Sequence, residues 1–465
     1  MNETVLTWII FILAFGGMVI VHEFGHFIAA RLVKVEVEEF GIGFPTPGAI
    51  TFWIGKGHLF LQDGRRIEIP QNFNLPIPWN SLVDRDAKLT VDEINERFLL
   101  RSIEADTVEE DRQGTSLKHI QAGNKTGALE IAGRIAQAHP GTRFTFNWLP
   151  LGGFVRPKGE NDPNVEGGLA AAAPWKRLFV LSAGPIMNLV TAVLVISVII
   201  GQMGGIIVSP PADYTGPREI LITEVVPNSP AEQAGVMMGD VLLEGAGQPL
   251  NGAGDLEAVV TANVNNPTVF VVLRDGKKIE LTITPLINEQ AGRPMIGVGY
   301  CGGCEFQPIT SVAENLKYSV QFTGAQIYGL ITLPVRLIQG VIPPEQGRLV
   351  GLKGIFDIMS QSVSNDVEAT QSQPSSAQPN PYTAPVQTLS IIAILSISLG
   401  VLNLFPFPAL DGGRILFVLP ELIFRRRVPH QFENLVHGLG MTLLIALMIY
   451  INVRDFIDPV TTAFP

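Results

Sequence analysis

Four apolar segments, each long enough to cross a lipid bilayer, restrict this chain to a small set of folds. They cover roughly residues 5–30, 177–202, 389–407 and 439–453, the last extending a few residues upstream. A bilayer core needs about 20 mostly apolar residues per helix. A composition of 46% hydrophobic and 16% charged residues agrees with a membrane protein. We therefore predict a polytopic α-helical membrane protein with four transmembrane helices.

The first segment has an alternative interpretation as a cleaved signal peptide. Such a peptide needs basic residues before its apolar run and small residues at a cleavage site. Here the N-terminus reads MNETV, which is acidic, and the run ends in HFIAARLVK. We therefore expect the segment to stay in the protein as its first membrane helix.

Basic residues beside the segments predict how the chain is oriented in the bilayer. Lys and Arg concentrate in short loops on the cytoplasmic side. Here they follow the first segment, precede the second and separate the third from the fourth: Arg31, Lys34, Arg156, Lys158, Lys176, Arg177, Arg414, Arg425, Arg426 and Arg427. These flanks all fall on one side, which we expect to be the cytoplasmic face of the cell's inner (plasma) membrane. Both termini and the segment after the second helix would then lie outside.

That outer segment contains a recognisable domain at about residues 218–300. EILITEVV and TVFVVLRDGKKIELTITPL are typical of strands, the latter a pair joined by a turn at Asp275 and Gly276. The intervening SPAEQAG and GD resemble the pattern of PDZ domains, which take an extended peptide along a sheet edge. The resemblance implies an inserted α+β PDZ-like domain with a peptide or protein ligand. The alternative is a small β-domain that acts only as a spacer.

Charge and cysteine content exclude two classes of protein. A net charge of −11 argues against a nucleic-acid partner, because phosphate binding depends on clustered Lys and Arg. Two cysteines, Cys301 and Cys304, provide no disulfide framework. Their Cys-Gly-Gly-Cys sequence suits a disulfide in a short loop, half of a metal site or an incidental pair.

The first apolar segment carries three ionisable side chains in the sequence HEFGH, which contains His22, Glu23 and His26. Residues i and i+4 lie on one face of a helix, so both imidazoles can reach one zinc ion. Glu23 is turned by about 100° from His22, close enough to act on a water molecule at the metal. The alternative is a chance pair of histidines satisfied by neighbouring helices. Each ionisable group in a membrane costs roughly 2.5–3.5 kcal/mol, so a bound divalent cation explains three of them better.

A catalytic zinc site needs a third protein ligand, for which Asp411 is the candidate. Asp411 follows the third apolar segment in NLFPFPALDGGR, where Pro406 and Pro408 prevent a regular helix. In the predicted orientation, Asp411 and the two histidines lie at the cytoplasmic ends of their segments and therefore at similar depth. An Asp-Gly pair after an apolar run is normally a turn. Asp411 becomes a candidate ligand only in combination with HEFGH.

HEFGH and NLFPFPALDGG together resemble the site-2 protease family of intramembrane zinc metalloproteases, whose signature is NxxPxPxLDGG. PLGGFVRPKGEND (Pro150–Asp162) is similar to that family's membrane-associated β-hairpin, and SAGPIMN (Ser182–Asn188) to its small-residue motif in the second span. The four spans and the outer PDZ-like domain resemble the bacterial members. The resemblance implies hydrolysis of peptide bonds within or near the transmembrane segment of single-span membrane proteins, in regulated intramembrane proteolysis and signalling.

The resemblance also implies roles for individual residues. His22, His26 and Asp411 would bind one Zn2+ per chain, and Glu23 would be the general base. Asn403 would contact the substrate backbone. Gly152 and Gly153, in LGGF, would belong to a strand edge that holds the substrate extended, because a helical peptide bond is shielded from attack. The expected partners are single-span membrane substrates, a ligand of the PDZ-like domain and the lipid bilayer.

Two features depart from the family pattern. The polar insert 55–146 is longer than expected and its residues assign it no function, although VDEINERFLLRSIEADTVEEDRQ has some helical period. Only one PDZ-like domain is visible, where some bacterial members have two.

The regions expected in chain order are 1–54 with the first span and the start of the membrane-associated strands, 55–146 as a cytoplasmic insert, 147–202 with the β-hairpin and second span, 203–305 as the PDZ-like domain, 306–361 as an amphipathic interfacial helix region, 362–386 as a disordered linker, and 387–465 with the last two spans.

Two other functions fit parts of the sequence. A catalytically silent membrane adaptor could present the PDZ-like domain to peptides, but it would not need His22, Glu23, His26 and Asp411 together. A zinc peptidase merely anchored by the first span would place HEFGH on a polar-faced helix, whereas here the motif continues an apolar run. We therefore expect an intramembrane zinc endopeptidase.

Overall fold

The computed structural model describes residues 3–75, 79–94, 97–111, 114–123, 129–160, 162–210, 219–226, 228–274, 276–288, 292–341, 347–372 and 384–459. Its helices are α1 (Glu3–Leu32), α2 (Pro174–Met203), α3 (Pro230–Gln233), α4 (Ala253–Ala262), α5 (Val312–Ile338), α6 (Leu352–Ser372), α7 (Gln387–Leu404), α8 (Asp411–Phe424) and α9 (His430–Ile457). The four apolar segments are thus confirmed as helices. Within the described residues, α1, α2, α7 and α9 are long and apolar enough to cross a membrane.

The strands in the same residues all lie between α1 and α5 in the sequence. They are β1 (Val37–Phe44), β2 (Ile50–Ile54), β3 (Gly57–Leu61), β4 (Arg66–Ile69), β5 (Asp86–Ile94), β6 (Arg97–Asp111), β7 (Gly114–Gly123), β8 (Leu129–His139), β9 (Arg143–Phe146), β10 (Leu149–Pro157), β11 (Gly205–Val208), β12 (Ile220–Val225), β13 (Val241–Gly245), β14 (Gln248–Pro249), β15 (Thr268–Arg274), β16 (Lys277–Ile283), β17 (Leu286–Asn288), β18 (Arg293–Met295), β19 (Val298–Gly302) and β20 (Glu305–Pro308).

The chain divides into two compact units. The first comprises residues 10–188 and 402–441 and contains HEFGH and LDGG; we call it the motif unit. The second unit comprises residues 1–9, 189–401 and 442–465. Each unit is described separately below.

A four-stranded sheet in the motif unit has the order β10-β1-β9-β2, with β1 antiparallel to β10 and parallel to β9. The last turn of α1 packs beside it through Ala29 and Ala30, which bury together with Val33, just after the helix, against Val180 of α2. Small side chains at these positions let the helices approach closely. In the described residues β10 pairs with β1 alone, so its other edge carries no strand.

The polar insert folds as a second sheet of the motif unit, in the order β4-β3-β8-β5-β6-β7. Fully buried Leu59, Ile67, Leu89 and Ile103 belong to its own apolar core. The helical period read in VDEINERFLLRSIEADTVEEDRQ is therefore wrong, because β5 and β6 cover that stretch. A register shift at Thr90 and Val91 interrupts the alternation of buried residues, which hid the strand pattern in the sequence.

The second unit contains a sheet in the order β16-β15-β13-β12-β19, with α3 and α4 beside its core. Ser229 caps α3 by accepting a hydrogen bond from the Glu232 backbone N–H, and the Glu232 carboxylate accepts one from the Asn228 backbone N–H. Of the expected turn between β15 and β16, Asp275 lies outside the described residues and Gly276 has φ +75°. Cys301 and Cys304 are joined by a disulfide, the first of the alternatives left open.

Residues 362–372 of the expected linker 362–386 are helical, because α6 continues to Ser372. Val363 is buried, and the Asp366 carboxylate accepts hydrogen bonds from the backbone N–H groups of Gln387 and Thr388. Polar side chains that suggested disorder thus cap the first turn of α7. Residues 373–383 of the expected linker lie outside the described residues.

Candidate functional site

His22 and His26 lie one turn apart on α1, and both are 8% exposed. Their Nε2 atoms are 3.2 Å from each other. Oδ2 of Asp411 lies 3.1 Å from Nε2 of His22 and 3.3 Å from Nε2 of His26. One nitrogen or oxygen from each residue therefore falls within 4.8 Å of the others. The structure brings together the three residues that the sequence predicted as ligands.

The loop between α7 and α8 directs Asp411 towards the histidines. The helix stops at Leu404, before Pro406, and restarts at Asp411 itself. A Cβ on Gly412 would lie 2.1 Å from the Phe405 carbonyl oxygen, and one on Gly413 2.4 Å from that of Phe407. Both glycines of LDGG are thus required, because the preceding loop backbone lies so close to them that a side chain would not fit.

His437 of α9 holds the same loop. Its Nδ1 accepts a hydrogen bond of 2.8 Å from the backbone N–H of Ala409. Ala409 has φ +78°, a strained value for a residue with a side chain. The contact stabilises that conformation two residues before Asp411. His437 could not be identified from the sequence, because a single histidine gives no sign of the backbone group that it contacts in the fold.

Small residues of SAGPIMN make room for the site between α1 and α2. A Cβ on Gly25 would lie 2.5 Å from the Ala183 carbonyl oxygen. A Cβ on Gly184 would lie 2.4 Å from Nε2 of His26. The two helices can therefore approach closely at Gly25, and the backbone of α2 can lie against the His26 ring only because Gly184 has no side chain.

The second nitrogen of each imidazole is held by α2. Nδ1–H of His26 donates to the Val180 carbonyl at 2.8 Å. The buried side-chain amide of Asn188 lies 3.1 Å from Nδ1 of His22. Partners of this kind fix the tautomer and orientation of metal-binding histidines. Asn188 belongs to SAGPIMN, but nothing in the sequence indicated its role.

The donor set fits zinc. Two imidazole nitrogens and one carboxylate oxygen are a usual set for a catalytic Zn2+, which keeps a further position open. Burial disfavours the charged form of Asp411, but its hydrogen bonds with His22 and His26 outweigh this effect and hold the pKa of the carboxyl well below its usual range. A carboxylate that stays ionised is suited to a divalent cation.

Glu23 lies beside the cluster. Its Oε2 accepts a hydrogen bond of 3.0 Å from the backbone N–H of Val155 in β10. Glu23 and the three clustered residues line a cavity of about 290 Å3. Arg414, which also lines it, forms an ion pair with Glu160.

The residues expected to bind substrate lie close to this cavity or to its strand. Asn403 lines the cavity. Gly152 and Gly153 belong to β10; Gly152 has φ +81°, and a Cβ on Gly153 would lie 2.9 Å from the Gly41 carbonyl oxygen. Both positions therefore favour glycine for the path of β10 itself.

Comparisons with known proteins identify zinc metalloproteases among the relatives of this chain. The model of peptidase family M50 matches residues 10–60 and 131–447. Zinc metalloprotease RasP of Oceanobacillus iheyensis is 27% identical over 467 residues, which cover 97% of this chain and 98% of RasP. The regulator of sigma-W protease RasP of Bacillus subtilis is 25% identical, with 97% and 98% of the two chains covered.

Among solved structures, a PDZ domain of an SdrC-like protein from Listeria monocytogenes is 17% identical, with a TM-score of 0.17, and covers 20% of this chain and 93% of that one. The family model leaves residues 61–130 unmatched, the stretch that contains β4, β5, β6 and β7 of the insert sheet. It matches well over half of the chain. The chain therefore belongs to peptidase family M50, the site-2 protease family of zinc metalloproteases.

Proposed function

We propose that this chain is the zinc-dependent endopeptidase of a membrane, and that it cleaves peptide bonds within or near the transmembrane segment of single-span membrane proteins. One observation carries the proposal. The convergent nitrogen and oxygen atoms of His22, His26 and Asp411 lie on or beside α1, a helix long and apolar enough to cross a bilayer. Ionisable groups in such a setting need a compensating partner, and a divalent cation provides one.

His22, His26 and Asp411 are the proposed zinc ligands. The Val180 carbonyl and the Asn188 amide keep both imidazoles turned so that their Nε2 atoms converge. The bound ion supplies Lewis-acid activation of a water molecule and of the scissile carbonyl. Gly184 has no side chain, so Nε2 of His26 would remain free to hold the ion.

Glu23 is the proposed general base. It follows His22 directly on α1 and shares the 290 Å3 cavity with it. The hydrogen bond from the Val155 N–H orients the carboxylate, which takes a proton from the attacking water and returns it to the leaving amine. This bond also ties the base to β10.

The proposed substrate lies extended along β10. The outer edge of that strand has no strand partner among the described residues, so a peptide can add to it through main-chain hydrogen bonds. Asn403 in the cavity would bind the substrate backbone. An extended peptide exposes its carbonyl carbon, which a helix shields.

The sheet of the second unit is proposed to act as a PDZ-like peptide-binding domain. Its edge strand β19 pairs with β12 alone in the described residues. Val298 and Tyr300 of β19 line a cavity of about 120 Å3 together with Leu256 and Val260 of α4. A free strand edge beside a helix suits the addition of an extended peptide.

We place the chain in the cell's inner membrane with its zinc site towards the cytoplasm and the PDZ-like domain outside. The basic flanks of the spans support this orientation. A B. subtilis relative is called a regulator of sigma-W protease. By analogy, we propose that the substrates are membrane-tethered regulators.

The test is Glu23→Gln in the full chain, purified and reconstituted with a single-span substrate. The variant should bind zinc like the wild type and lose cleavage by at least 100-fold, since general-base catalysis contributes typically 10²–10⁴-fold. Asp411→Ala should instead lower zinc content. Wild-type cleavage by Glu23→Gln would exclude this residue as the base, and inactivity of the zinc-loaded wild type on every single-span substrate would favour a silent adaptor.

A further inference from the structure

A second cavity of the motif unit lies away from the zinc site. It has a volume of about 540 Å3 and is bounded by the last turns of α1, the end of β2 and the start of β9. We call it the Arg31–Lys56 cavity. Its walls are formed by Phe27, Ile28, Arg31, Leu32, Trp53, Gly55, Lys56, Gln71, Thr142 and Phe144.

The inner wall of this cavity is apolar and aromatic. The ring of Phe144 lies 4.7 Å from that of Trp53 and 5.7 Å from that of Phe27, measured between ring centroids. Leu32 is 69% exposed and Trp53 38% exposed, so the aromatic wall continues onto the surface. A purely polar ligand would leave this apolar wall without an apolar partner.

Two cationic side chains, Arg31 and Lys56, lie on the same cavity. In the part of the chain that the structure describes, no carboxylate lies within ion-pair distance of either side chain. Nearby cations are paired: Lys158 contacts Glu36, and Arg143 contacts Glu39. The cavity therefore presents unneutralised positive charge next to an apolar wall.

The position of the cavity indicates that lipid headgroups can reach it. Phe27 to Leu32 are the last residues of a helix that is long and apolar enough to cross a bilayer. The adjoining strand β2 carries Ile50 and Phe52, each 55% exposed. Aromatic and cationic side chains at the end of a membrane helix lie at the level of the lipid headgroups.

We propose that the Arg31–Lys56 cavity binds one anionic glycerophospholipid. The phosphate group would lie between the cations of Arg31 and Lys56, and the upper acyl carbons would pack against Trp53 and Phe144. Basic pockets at the ends of membrane helices recognise anionic headgroups in this way. The wall also includes Gln71, which lies outside the two stretches matched by the family model.

The test measures lipid binding by the purified full-length chain in detergent, with phosphatidylglycerol and phosphatidylcholine of identical acyl chains. Native mass spectrometry should detect one tightly held phosphatidylglycerol and no equally tight phosphatidylcholine. Arg31→Gln and Lys56→Gln should each weaken that binding about fivefold, and the double variant about 25-fold, as expected for two cations near an anionic headgroup. Arg85→Gln/Lys88→Gln is the control, because it removes the same charge from two exposed residues of the insert.

Three results would overturn the proposal: equal retention of the two lipids, unchanged binding by the double variant, or equal losses in the control variant. A further measurement repeats the binding experiment with millimolar inorganic phosphate added. Full displacement of the lipid by phosphate would mean that the cavity takes a free anion and not a lipid. Incomplete displacement is expected if the acyl chains contribute.

The position of the acyl chains can be measured separately. Phosphatidylglycerol with brominated acyl chains should quench tryptophan fluorescence in the wild type and less so in Trp53→Phe, since Trp53 lines the cavity. Equal quenching in both proteins would contradict this position. All of these measurements report binding, so their failure would leave the proposed peptidase activity untouched.

Discussion

The contact between Asn188 and His22 leads to a specific prediction about the proposed zinc site. A histidine that binds zinc through Nε2 carries its proton on Nδ1, and that proton needs an acceptor. The Asn188 amide lies 3.1 Å from Nδ1 of His22, with its nitrogen as the nearer atom. Amide oxygen and nitrogen are distinguished only by their hydrogen bonds. With the amide turned over, Oδ1 accepts from Nδ1–H and leaves Nε2 free for the metal.

Two substitutions separate these arrangements. Asn188→Leu leaves a buried N–H of His22 without an acceptor, which costs about 1–3 kcal/mol. Zinc affinity should therefore fall by roughly 10- to 100-fold, the range for partners of this kind. Asn188→Asp keeps an acceptor in either orientation and should retain wild-type affinity or exceed it, because the carboxylate strengthens the ligand.

The assay is competition for zinc between the purified chain in detergent and a chromophoric chelator. Thr90→Val is the control, since it removes a buried hydroxyl that accepts a 2.8 Å hydrogen bond from Ser102 in the insert, away from the site. Its zinc affinity should equal that of the wild type. If Asn188→Asp loses as much affinity as Asn188→Leu, the amide acts as a donor and the reasoning about His22 is refuted.

Three further predictions concern the same unit. Gly184→Ala places a methyl group 2.4 Å from Nε2 of His26 and should abolish zinc binding, whereas Gly17→Ala, with open space at its Cβ, should not; equal zinc content would contradict the geometry. His437→Ala removes the acceptor for the Ala409 N–H and should lower the free energy of unfolding by about 1–3 kcal/mol, with partial rescue by His437→Gln. Burial opposes ionisation of Glu36, but hydrogen bonds with His139 and Lys158 prevail and lower the pKa of this carboxyl below the ordinary value of a glutamate. Its stabilising effect is therefore present above that value and is lost as the pH falls through the lowered pKa, so the wild type should lose melting temperature between pH 5 and pH 3 more steeply than Glu36→Gln.

Much of the fold was predictable from local pattern. Apolar length alone identified the four long helices, since a bilayer requires about 20 such residues per span. The i, i+4 spacing placed His22 and His26 on one face of α1. Pro406 and Pro408 indicated the break before Asp411, and the structure ends α7 at Leu404.

Other features depended on partners distant in the sequence. The insert reads as mixed polar sequence because the strands of its sheet bury only one face and contain a register shift, so their period is irregular. Residues 362–372 looked like a linker because their polar side chains are explained only by the helix end that Asp366 caps. In both cases the stabilising contact is tertiary.

The proposed zinc site likewise depends partly on sequence and partly on tertiary structure. The sequence by itself determined which side chains have metal-binding chemistry and that two of them share a helix face. Only the tertiary structure decided that Asp411 lies 3.1 Å from a histidine 389 residues away, and that Val180 and Asn188 orient the two rings. A backbone carbonyl such as that of Val180 has no signature in sequence, because every residue carries one; its role exists only where the packing of α2 on α1 places it.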